Sequence, residues 1–450
     1  MTSAPQDAAA IDDREFAALM AALGPFEQEP RIASSCSGGA DSMALTLLLH
    51  RWSNTTGGSV TALVVDHRLR PESADEAKVT MRRLERHGIP SRLLVRPNEP
   101  LDGNLQAAAR RDRYRLLSEW CLENEVLHLV TAHHLGDQAE TLLLRLARGS
   151  GVDGLAAMPR IRESAAVRLL RPLLDIPRDR LEATLQVAGL DHVEDPSNRD
   201  ETFQRVRLRR ARAILAQEGL TPARLSETAM RVGRARAALQ DAADRLLART
   251  VRLYPEGYCR LDPAAIAGAP PDVALRALSR VLVTVAGTDY PPRHERLQRL
   301  FADILREGGV ANARTLHGCR LLPSKARVLI CREPRAAAES IPAAAGCLWD
   351  GRFRVFLRSG KPFEVRRLGR NGWAAVLKDR PELRQTHVPA PVRPSLPALW
   401  DLDGIACVPH LRYVRSGSEF ARSSEVEMTF APAAPLSTSR FADGRAPTGA

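Results

Sequence analysis

Short runs of β-branched and other apolar residues alternate with longer amphipathic segments over the first half of the chain. The apolar runs predict strands at residues 31–36, 59–65, 91–95 and 126–131. The periodicity between them predicts helices at residues 43–52, 73–87, 105–123 and 137–148. Strands separated by helix-length segments are typical of parallel βαβ units. The pattern therefore predicts an α/β fold with a doubly wound parallel sheet over residues 31–212, in which ligands bind at the carboxyl ends of the strands.

The second half of the chain predicts two smaller domains. Leu, Ala and Arg recur at helical spacing from residue 213, and further helices are expected at 271–286 and 294–306. Residues 213–335 are therefore predicted to form a mostly helical middle domain. After a linker rich in Ala, Pro and Ser, alternating apolar and polar positions predict a small C-terminal α+β domain over residues 346–415.

Two terminal segments are expected to lie outside these domains. Residues 1–30 are interpreted as an N-terminal extension. Residues 416–450 are rich in Ser, Ala and Pro and are predicted to be a disordered tail, because such a composition offers little apolar surface to bury.

The charge balance favours a polyanionic partner. The 450 residues include 65 Lys and Arg against 53 Asp and Glu, a net charge of +12, and the excess is mostly Arg. Such an excess suits phosphate neutralisation in a nucleic acid. A high genomic GC content would also enrich Arg, so the charge by itself leaves both explanations open.

Cysteine usage and hydropathy indicate a cytoplasmic protein. The seven cysteines are scattered without a CxxC pair, which suits a reducing compartment and argues against a zinc or iron–sulfur site. No stretch approaches ~18 continuous apolar residues, and the N-terminus contains acidic residues without an apolar core. We therefore expect no signal peptide, no transmembrane segment and no membrane partner.

The most informative segment lies where the first predicted strand meets the first predicted helix. It consists of Ser37, Gly38, Gly39, Ala40, Asp41 and Ser42. Two glycines let the backbone approach an anion, and the N–H groups of the helix N-terminus point at it. The serine hydroxyls add donors, and the carboxylate of Asp41 could hold Mg²⁺ against a pyrophosphate. The alternative for this segment alone is a tight turn with a capped helix.

Polar residues also follow the later strands. Asp66 and His67 end the second strand and could meet a ribose hydroxyl or a metal, although a solvated turn is the alternative. Arg110 and Arg113 are three residues apart on one helix and share a face, so one of them could reach the ligand or RNA. For either arginine, an exposed basic face is the alternative.

His133 and His134 follow the fourth strand, and Asp137 follows them at the start of a helix. The alternative for an acid in the first turn of a helix is that it serves simply as a helix cap. Adjacent residues of an extended segment point to opposite sides, which argues against one ion bound by both histidines. We interpret the histidines as orienting a nucleotide and Asp137 as a Mg²⁺ ligand or a catalytic residue. Gly149 lies in a second Gly/Ser loop further along.

A run of arginines follows the DPSN turn at residues 195–198. It contains Arg205, Arg207, Arg209 and Arg210. The run is typical of a phosphate-binding patch, and an arginine-rich surface helix is the equal alternative.

Taken together, these motifs resemble the tRNA(Ile)-lysidine synthetase family of PP-loop pyrophosphatases. The similar segments are SGGADSMAL, VDHRLRPESADEA, QAAARRDRYRLL, TAHHLGDQAETLLLRLARGSGVDGLAAM, LLRPLL and EDPSNRDETFQRVRLRRARAIL, and they cover about residues 31–215. The serine–glycine loop marks only the superfamily, whereas the histidine and DPSN-to-arginine segments narrow the resemblance to this family.

The resemblance implies an enzyme that ligates L-lysine to C2 of the wobble cytidine of the CAU-anticodon isoleucine tRNA. ATP would first activate the cytosine as an adenylate with release of pyrophosphate, and the lysine ε-amine would then displace AMP. Asp41, His133 and Asp137 would be catalytic, and Asp41 and Asp137 would bind Mg²⁺. The implied ATP site comprises Ser37, Gly38, Gly39, Ala40, Asp41, Ser42, Asp66, His67, Arg110, His134 and Gly149. Arg205, Arg207, Arg209 and Arg210 would bind tRNA, and Asp137 could position the lysine or accept its proton.

Two departures from the family pattern matter. The family usually has an Asp where this chain has Gly136, so Asp137 would act without a neighbouring carboxylate. Residues 33–36 are also more polar than the usual apolar strand, which would weaken a sheet edge, although Ser and Cys still fit a buried strand.

Three other functions stay open at this point. Another PP-loop tRNA enzyme could thiolate a base after the same adenylation, although the chain has no CxxC pair and only Cys36 and Cys121 in the catalytic domain. A tRNA-binding protein with a decayed site and an ATP-dependent amide-forming synthetase are the others. The sequence leaves the oligomeric state open, with a dimer among the options.

Overall fold

The computed structural model describes residues 9–68, 72–97, 105–164, 167–193, 204–357, 362–418, 420 and 425–437. The chain divides into two compact units, with the division after Arg236 instead of after residue 212 as predicted. None of the described helices combines the length and the apolar character needed to cross a membrane.

The first unit alternates strands and helices as the sequence predicts. Its elements are α1 (Asp13–Ala21), β1 (Arg31–Cys36), α2 (Ala40–Thr56), β2 (Ser59–Asp66), α3 (Ser73–Arg86), β3 (Ser91–Val95), α4 (Leu105–Glu123), β4 (His128–Val130), α5 (Leu135–Ala147), α6 (Val152–Leu155), β5 (Ile161–Glu163), β6 (Arg168–Leu170), α7 (Arg178–Ala188), α8 (Gln204–Gln217) and α9 (Pro222–Thr250), which continues into the second unit.

The strands form one sheet in the order β3-β2-β1-β4-β6-β5. All neighbours are parallel except β5, which is antiparallel to β6. The chain builds outward from β1 through β2 to β3 and then crosses to β4 on the other side of β1. The carboxyl ends of β1 and β4 therefore flank the point where the strand order reverses, which is where such sheets bind ligands. The predicted doubly wound parallel sheet is confirmed.

β1 is a central strand, so the expectation of a weakened sheet edge is wrong. Five of its six residues are buried between β2 and β4. Its serines are tolerated there because each has a hydrogen-bond partner: Ser34 Oγ lies 2.8 Å from Thr46 Oγ1, and Ser35 Oγ accepts from Arg113 at 2.7 Å.

The two faces of the sheet have separate cores. One face packs against α1, α2, α3 and α7, and its strand residues include Ile32, Val64, Val130 and Leu170. The opposite face packs against α4 and takes Ala33, Leu63, Leu129 and Leu169. Successive residues of each strand alternate between these cores, as the period of a strand requires.

The N-terminal segment is part of this fold and not a separate extension. Ile11, Phe16, Met20 and Leu23 are buried in the same core as α2. Asp12 caps α1 by accepting a hydrogen bond from Glu15 N at 2.7 Å.

The second unit contains three antiparallel sheets. Its elements are β7 (Val251–Tyr254), β8 (Tyr258–Leu261), α10 (Pro263–Ala267), α11 (Pro271–Ala286), α12 (His294–Glu307), β9 (Arg314–Leu316), β10 (Cys319–Ser324), β11 (Arg327–Arg332), β12 (Ile341–Pro342), β13 (Leu348–Trp349), β14 (Phe353–Leu357), β15 (Glu364–Arg367), α13 (Gly369–Asp379), β16 (Pro397–Asp401), β17 (Gly404–Val408), β18 (Tyr413–Val414) and β19 (Val426–Phe430). The strand orders are β7-β8-β11-β10-β9, β12-β15-β16-β17-β18 and β13-β14-β19.

Three expectations need correction here. The middle region holds a five-stranded sheet beside its helices, because β8 pairs with the distant β11. The predicted linker at 336–345 includes β12, which pairs with β15. The predicted disorder of the tail is wrong for Val426–Phe430, which pairs with β14 and buries Val426 and Met428; residues 438–450 lie outside the described residues.

Candidate active site

The loop between β1 and α2 is built to leave backbone donors at the helix N-terminus. Ser42 Oγ accepts from Ser37 N at 3.1 Å and donates to Gly39 O at 2.9 Å, which holds the loop closed. Gly39 is the N-cap of α2, and no side chain of the described residues caps this helix. An anion can therefore take the place of the missing cap.

Gly38 has a conformation that favours glycine. Its φ is +84°, and a Cβ built at this position would lie 2.3 Å from Thr80 Oγ1 of α3. Its carbonyl accepts from Val193 N at 2.8 Å. The loop is thus fixed from two sides.

Asp41, His134 and Asp137 meet at the carboxyl ends of β1 and β4. His134 Nε2 lies 3.7 Å from Asp41 Oδ2 and 3.7 Å from Asp137 Oδ2. His134 also begins α5: its Nδ1 accepts from Gly136 N at 2.9 Å, and its own N–H donates to Asp137 at 3.1 Å. The structure brings the two predicted Mg²⁺ ligands to the same imidazole.

One oxygen of the Asp41 carboxylate, Oδ1, has an ion-pair partner, Arg178, but no hydrogen bond in the described structure. This oxygen is buried. Burial raises the pKa of Asp41, whereas the charges of His134 and Arg178 oppose that rise. A cation at this oxygen would remove the cost of burying it.

Arg178 is a residue of this site that the sequence analysis missed. It begins α7, and its Nε lies 3.5 Å from Asp41 Oδ1 and 3.1 Å from Glu182 Oε1. It stands 136 residues after Ser42, the end of the loop, so only the packing of α7 beside α2 places it there. Nothing in the local sequence of residues 176–183, IPRDRLEA, indicates that this segment contacts the loop before α2.

His133 points away from this group, as the alternation after β4 predicts. Its Nδ1 lies 2.9 Å from Thr131 Oγ1, on the face that packs against α4. The pKa of His133 is lowered to about 3, mainly by burial; the charge of Asp137 opposes this shift, and the charges of Arg171, Arg110 and Arg113 add to it. The imidazole is therefore neutral at physiological pH and serves as a hydrogen-bonding group.

Asp66 and His67 lie at the carboxyl end of β2. Asp66 Oδ1 accepts from Arg68 N at 2.9 Å and from Ser73 Oγ at 2.5 Å, so this oxygen holds the turn that leads to α3. His67 Nδ1 is buried without a hydrogen-bond partner in the described structure, and burial lowers the pKa of His67. Their ATP contacts remain predictions.

Gly149 does not join this group. It ends α5 with φ +65°, whereas His134 begins the same helix. At 1.5 Å per residue the two ends are ~20 Å apart. The positive φ at a helix C-terminus accounts for glycine there without a ligand.

The arginine run lies on α8. Arg207 and Arg210 are exposed. The side chains of Arg205 and Arg209 lie outside the described residues, so their contacts with tRNA remain predictions.

Gly136 faces a cavity between helices. The cavity is lined by Gly136, Ala139, Glu140 and Leu143 of α5 with Leu208, Leu215, Leu220, Pro222 and Leu225 from α8 and the start of α9. Most of the side chains that line this cavity are apolar.

Comparison with known proteins identifies relatives of the chain. Residues 10–215 match a protein-family model described as a PP-loop domain. A tRNA(Ile)-lysidine synthase of Ruegeria pomeroyi is 38% identical over 386 residues, which are 85% of this chain and 90% of that protein. A tRNA(Ile)-lysidine synthase of a Bradyrhizobium strain is 40% identical over 65% of this chain and 86% of that protein. A solved U34-tRNA thiolase from Methanococcus maripaludis is 18% identical, with a TM-score of 0.43 over 49% of this chain and 79% of that chain.

Proposed function

The chain belongs to the tRNA(Ile)-lysidine synthase family, and on that premise we propose that it ligates L-lysine to C2 of cytidine 34 in the CAU-anticodon isoleucine tRNA. One observation supports this most. The N-terminus of α2 has no side-chain cap among the described residues, and Asp41, in the first turn of that helix, lies beside His134 and Asp137. We place the reaction in the cytoplasm, where its tRNA substrate is found.

Two steps make up the proposed reaction. The C2 oxygen of cytosine attacks the α-phosphorus of ATP, and pyrophosphate leaves from that phosphorus. The ε-amine of lysine then attacks C2 and loses a proton, and AMP leaves with the former C2 oxygen. Adenylation is required because the cytosine oxygen is by itself a poor leaving group.

The loop before α2 would bind the pyrophosphate part of ATP. The N–H groups at the N-terminus of α2, which no side chain of the described residues caps, would donate to it, and the hydroxyls of Ser37 and Ser42 hold the loop in shape. They remain in place as negative charge grows on the departing group.

The residues present fit a Mg²⁺ ion. Mg²⁺ is commonly bound by one or two carboxylates together with substrate phosphates and water, and Asp41 offers a buried oxygen without a hydrogen bond beside Asp137. When bound, the ion would supply positive charge against the pyrophosphate. Arg178 is the ion-pair partner of Asp41.

Asp137 would orient the lysine amine or accept its proton. One of its oxygens is bonded to His134 N, which fixes the carboxylate at the start of α5. The amine must be neutral to attack C2, so a carboxylate at this point has a defined role. Arg207 and Arg210 of α8 would contact tRNA phosphates.

The thiolation alternative requires a reactive cysteine. Cys36 and Cys121 are both buried, and burial raises the pKa of both thiols, that of Cys121 to about 12. Since the thiolate is the nucleophile, neither residue is prepared for persulfide chemistry.

The test is incubation of the protein with radiolabelled lysine, ATP, Mg²⁺ and unmodified CAU-anticodon isoleucine tRNA, with methionine tRNA as the control substrate. We expect label in the isoleucine tRNA alone. Asp41→Asn should lower the rate at least about 100-fold, by removing a charge that faces the pyrophosphate. Asp75→Asn, at an exposed carboxylate of α3, should match the wild type.

Two results would contradict the proposal. Absence of label from both tRNAs, with tight tRNA binding, would indicate a decayed site. Pyrophosphate release without label would favour a different chemistry on the adenylated base.

A further inference from the structure

The residues after the parallel strands separate into two groups of different charge. On the face that packs against α2, His134 stands between the carboxylates of Asp41 and Asp137. On the face that packs against α4, the carboxyl ends of the strands present Ser35 near the end of β1, Thr131 after β4 and Arg171 after β6. The strand register places these three in one row, because Ser34 pairs with Val130 and Val130 pairs with Leu170.

Three arginines gather at this second group. Arg113 donates to Ser35 Oγ at 2.7 Å, and Arg171 follows β6 in the same row. Arg110 lies one turn before Tyr114 on α4, with its guanidinium 5.2 Å from the Tyr114 ring and Nη2 3.4 Å from the hydroxyl. His133 lies among them and is held by Thr131.

These arginines make their hydrogen bonds with neutral groups. Arg113 donates to a hydroxyl, Arg171 Nη1 donates to Pro159 O at 2.8 Å, and Arg110 contacts the tyrosine. Within the described part of the chain, none of the three lies within 4 Å of a carboxylate, although Arg171 is only 4% exposed. Arg171 Nε is buried and has no hydrogen-bond partner there.

Such an arrangement is unfavourable without an anion. Like charges repel, and burial removes the water that would otherwise solvate them. Burial accordingly lowers the pKa of both Arg113 and Arg171. A guanidinium is the side chain best suited to a phosphate, which it can bind through two parallel hydrogen bonds.

We propose that Arg110, Arg113 and Arg171 form a second phosphate site, on the α4 face of the sheet and separate from the loop before α2. Its ligand is a phosphate group that stays bound after pyrophosphate has left. That group is either the α-phosphate of the nucleotide or a phosphodiester of the RNA beside the target cytidine. The proposal rests on the proposed function for its substrates.

Arg171 is the central variant. Arg171→Gln should weaken the binding of one phosphate ligand about tenfold or more, the effect of losing a charge-assisted hydrogen bond. Because Arg171 is buried, Arg110→Gln is the second variant; Arg110 is exposed and its replacement should leave the fold intact. Arg115→Gln is the matched control, since Arg115 lies on the same helix and pairs with Glu119 and Asp112.

Two binding measurements distinguish the sources of the phosphate. Calorimetry with α,β-methylene-ATP and no RNA reports the nucleotide, and filter binding of unmodified tRNA at several salt concentrations reports the RNA. Weaker binding of the ATP analogue alone would support the α-phosphate. Weaker binding of RNA alone, with a salt slope smaller by about one, would support a phosphodiester.

One result would overturn the site: both variants fold with wild-type thermal midpoints and bind both ligands as the Arg115→Gln control does. The arginines would then be structural. This failure is separate from failure of the proposed function, which is read from lysine incorporation by the wild-type protein. A wild type that incorporates no lysine, with variants that bind the ATP analogue less tightly, would reject lysidine formation and retain the phosphate site.

Discussion

His133 and His134, which follow β4, have different neighbours because the backbone there is extended and their side chains point to opposite sides. His134 reaches the carboxylates beside the loop, and His133 reaches the arginines behind the sheet. Burial keeps His133 neutral, with a pKa of about 3, so it adds no further positive charge to that face. A single-residue step thus separates an acidic group from a basic one.

The two adjacent glycines of the loop are not equivalent. Gly38 has φ +84° and lies against Thr80, whereas Gly39 has φ −74° and its Cβ position is 4.0 Å from the nearest atom, Ser37 Oγ. We predict that Gly38→Ala lowers the thermal midpoint and abolishes ATP-dependent pyrophosphate release, because the left-handed conformation alone costs about 1–2 kcal/mol. Gly39→Ala should keep the wild-type midpoint. Equal midpoints for the two variants would contradict this assignment.

His410 should make the second unit sensitive to acid. Burial lowers the pKa of His410 to about 4, with Glu256 and the Pro255 backbone opposing. The unfolded chain, with a pKa near 6.5, binds the proton more tightly. This contribution is therefore present above pH ~6.5 and is lost as the pH falls towards 4, about 2 kcal/mol between pH 7 and pH 5.

Urea unfolding at these two pH values tests the effect. His410→Gln should lose less stability between pH 7 and pH 5 than the wild type. His294→Gln, at an exposed histidine of α12, should behave like the wild type. Identical losses for all three proteins would show that His410 titrates normally.

At the scale of elements, partners distant in sequence decide what short segments become. β19 has only five residues, yet it completes the sheet of β13 and β14. The segment after it stays attached through Ala431 N, which donates to Arg352 O at 2.7 Å, and through Ala434 O, which accepts from Thr284 at 3.0 Å. The end of the described chain is part of the second unit.

Truncation should separate this strand from the residues beyond it. A chain that ends after residue 424 lacks the buried side chains of Val426 and Met428, and we predict a loss of about 3–6 kcal/mol in the unfolding free energy. A chain that ends after residue 437 should unfold like the full-length protein. Urea midpoints measure both, and an unchanged midpoint for the shorter chain would mean that β19 adds nothing to stability.

At the scale of the whole molecule, the net charge of +12 is the property that a tRNA would meet first. Phosphate contacts release counterions, so affinity should fall steeply with salt. We predict that Arg207→Gln and Arg210→Gln on α8 each weaken tRNA binding and reduce the slope of log affinity against log salt by about 0.7–0.9.

The control for this measurement is Arg306→Gln. Arg306 is an exposed arginine paired with Asp303 and Glu307 on α12. If Arg207→Gln and Arg210→Gln leave the slope of log affinity against log salt as unchanged as this control does, the tRNA binds elsewhere on the surface.

Local patterns determined much of this protein. Periodicity predicted β1, β3, α4 and α11 with the bounds that the structure has, and the sheet topology placed the loop before α2 and the two histidines at one edge. This succeeded because helix and strand periods, and the backbone needs of an anion loop, are properties of neighbouring residues.

Tertiary structure decided the rest. Arg178 lies beside Asp41 only because α7 packs beside α2, and Arg171 lies in the same row as Thr131 only because β6 pairs with β4. The same holds for the short strands β8 and β19, which pair with β11 and β14 far along the chain. Burial also set the neutral state of His133 and the raised pKa of Asp41, and no spacing in a sequence reports how much water a folded chain removes from a side chain.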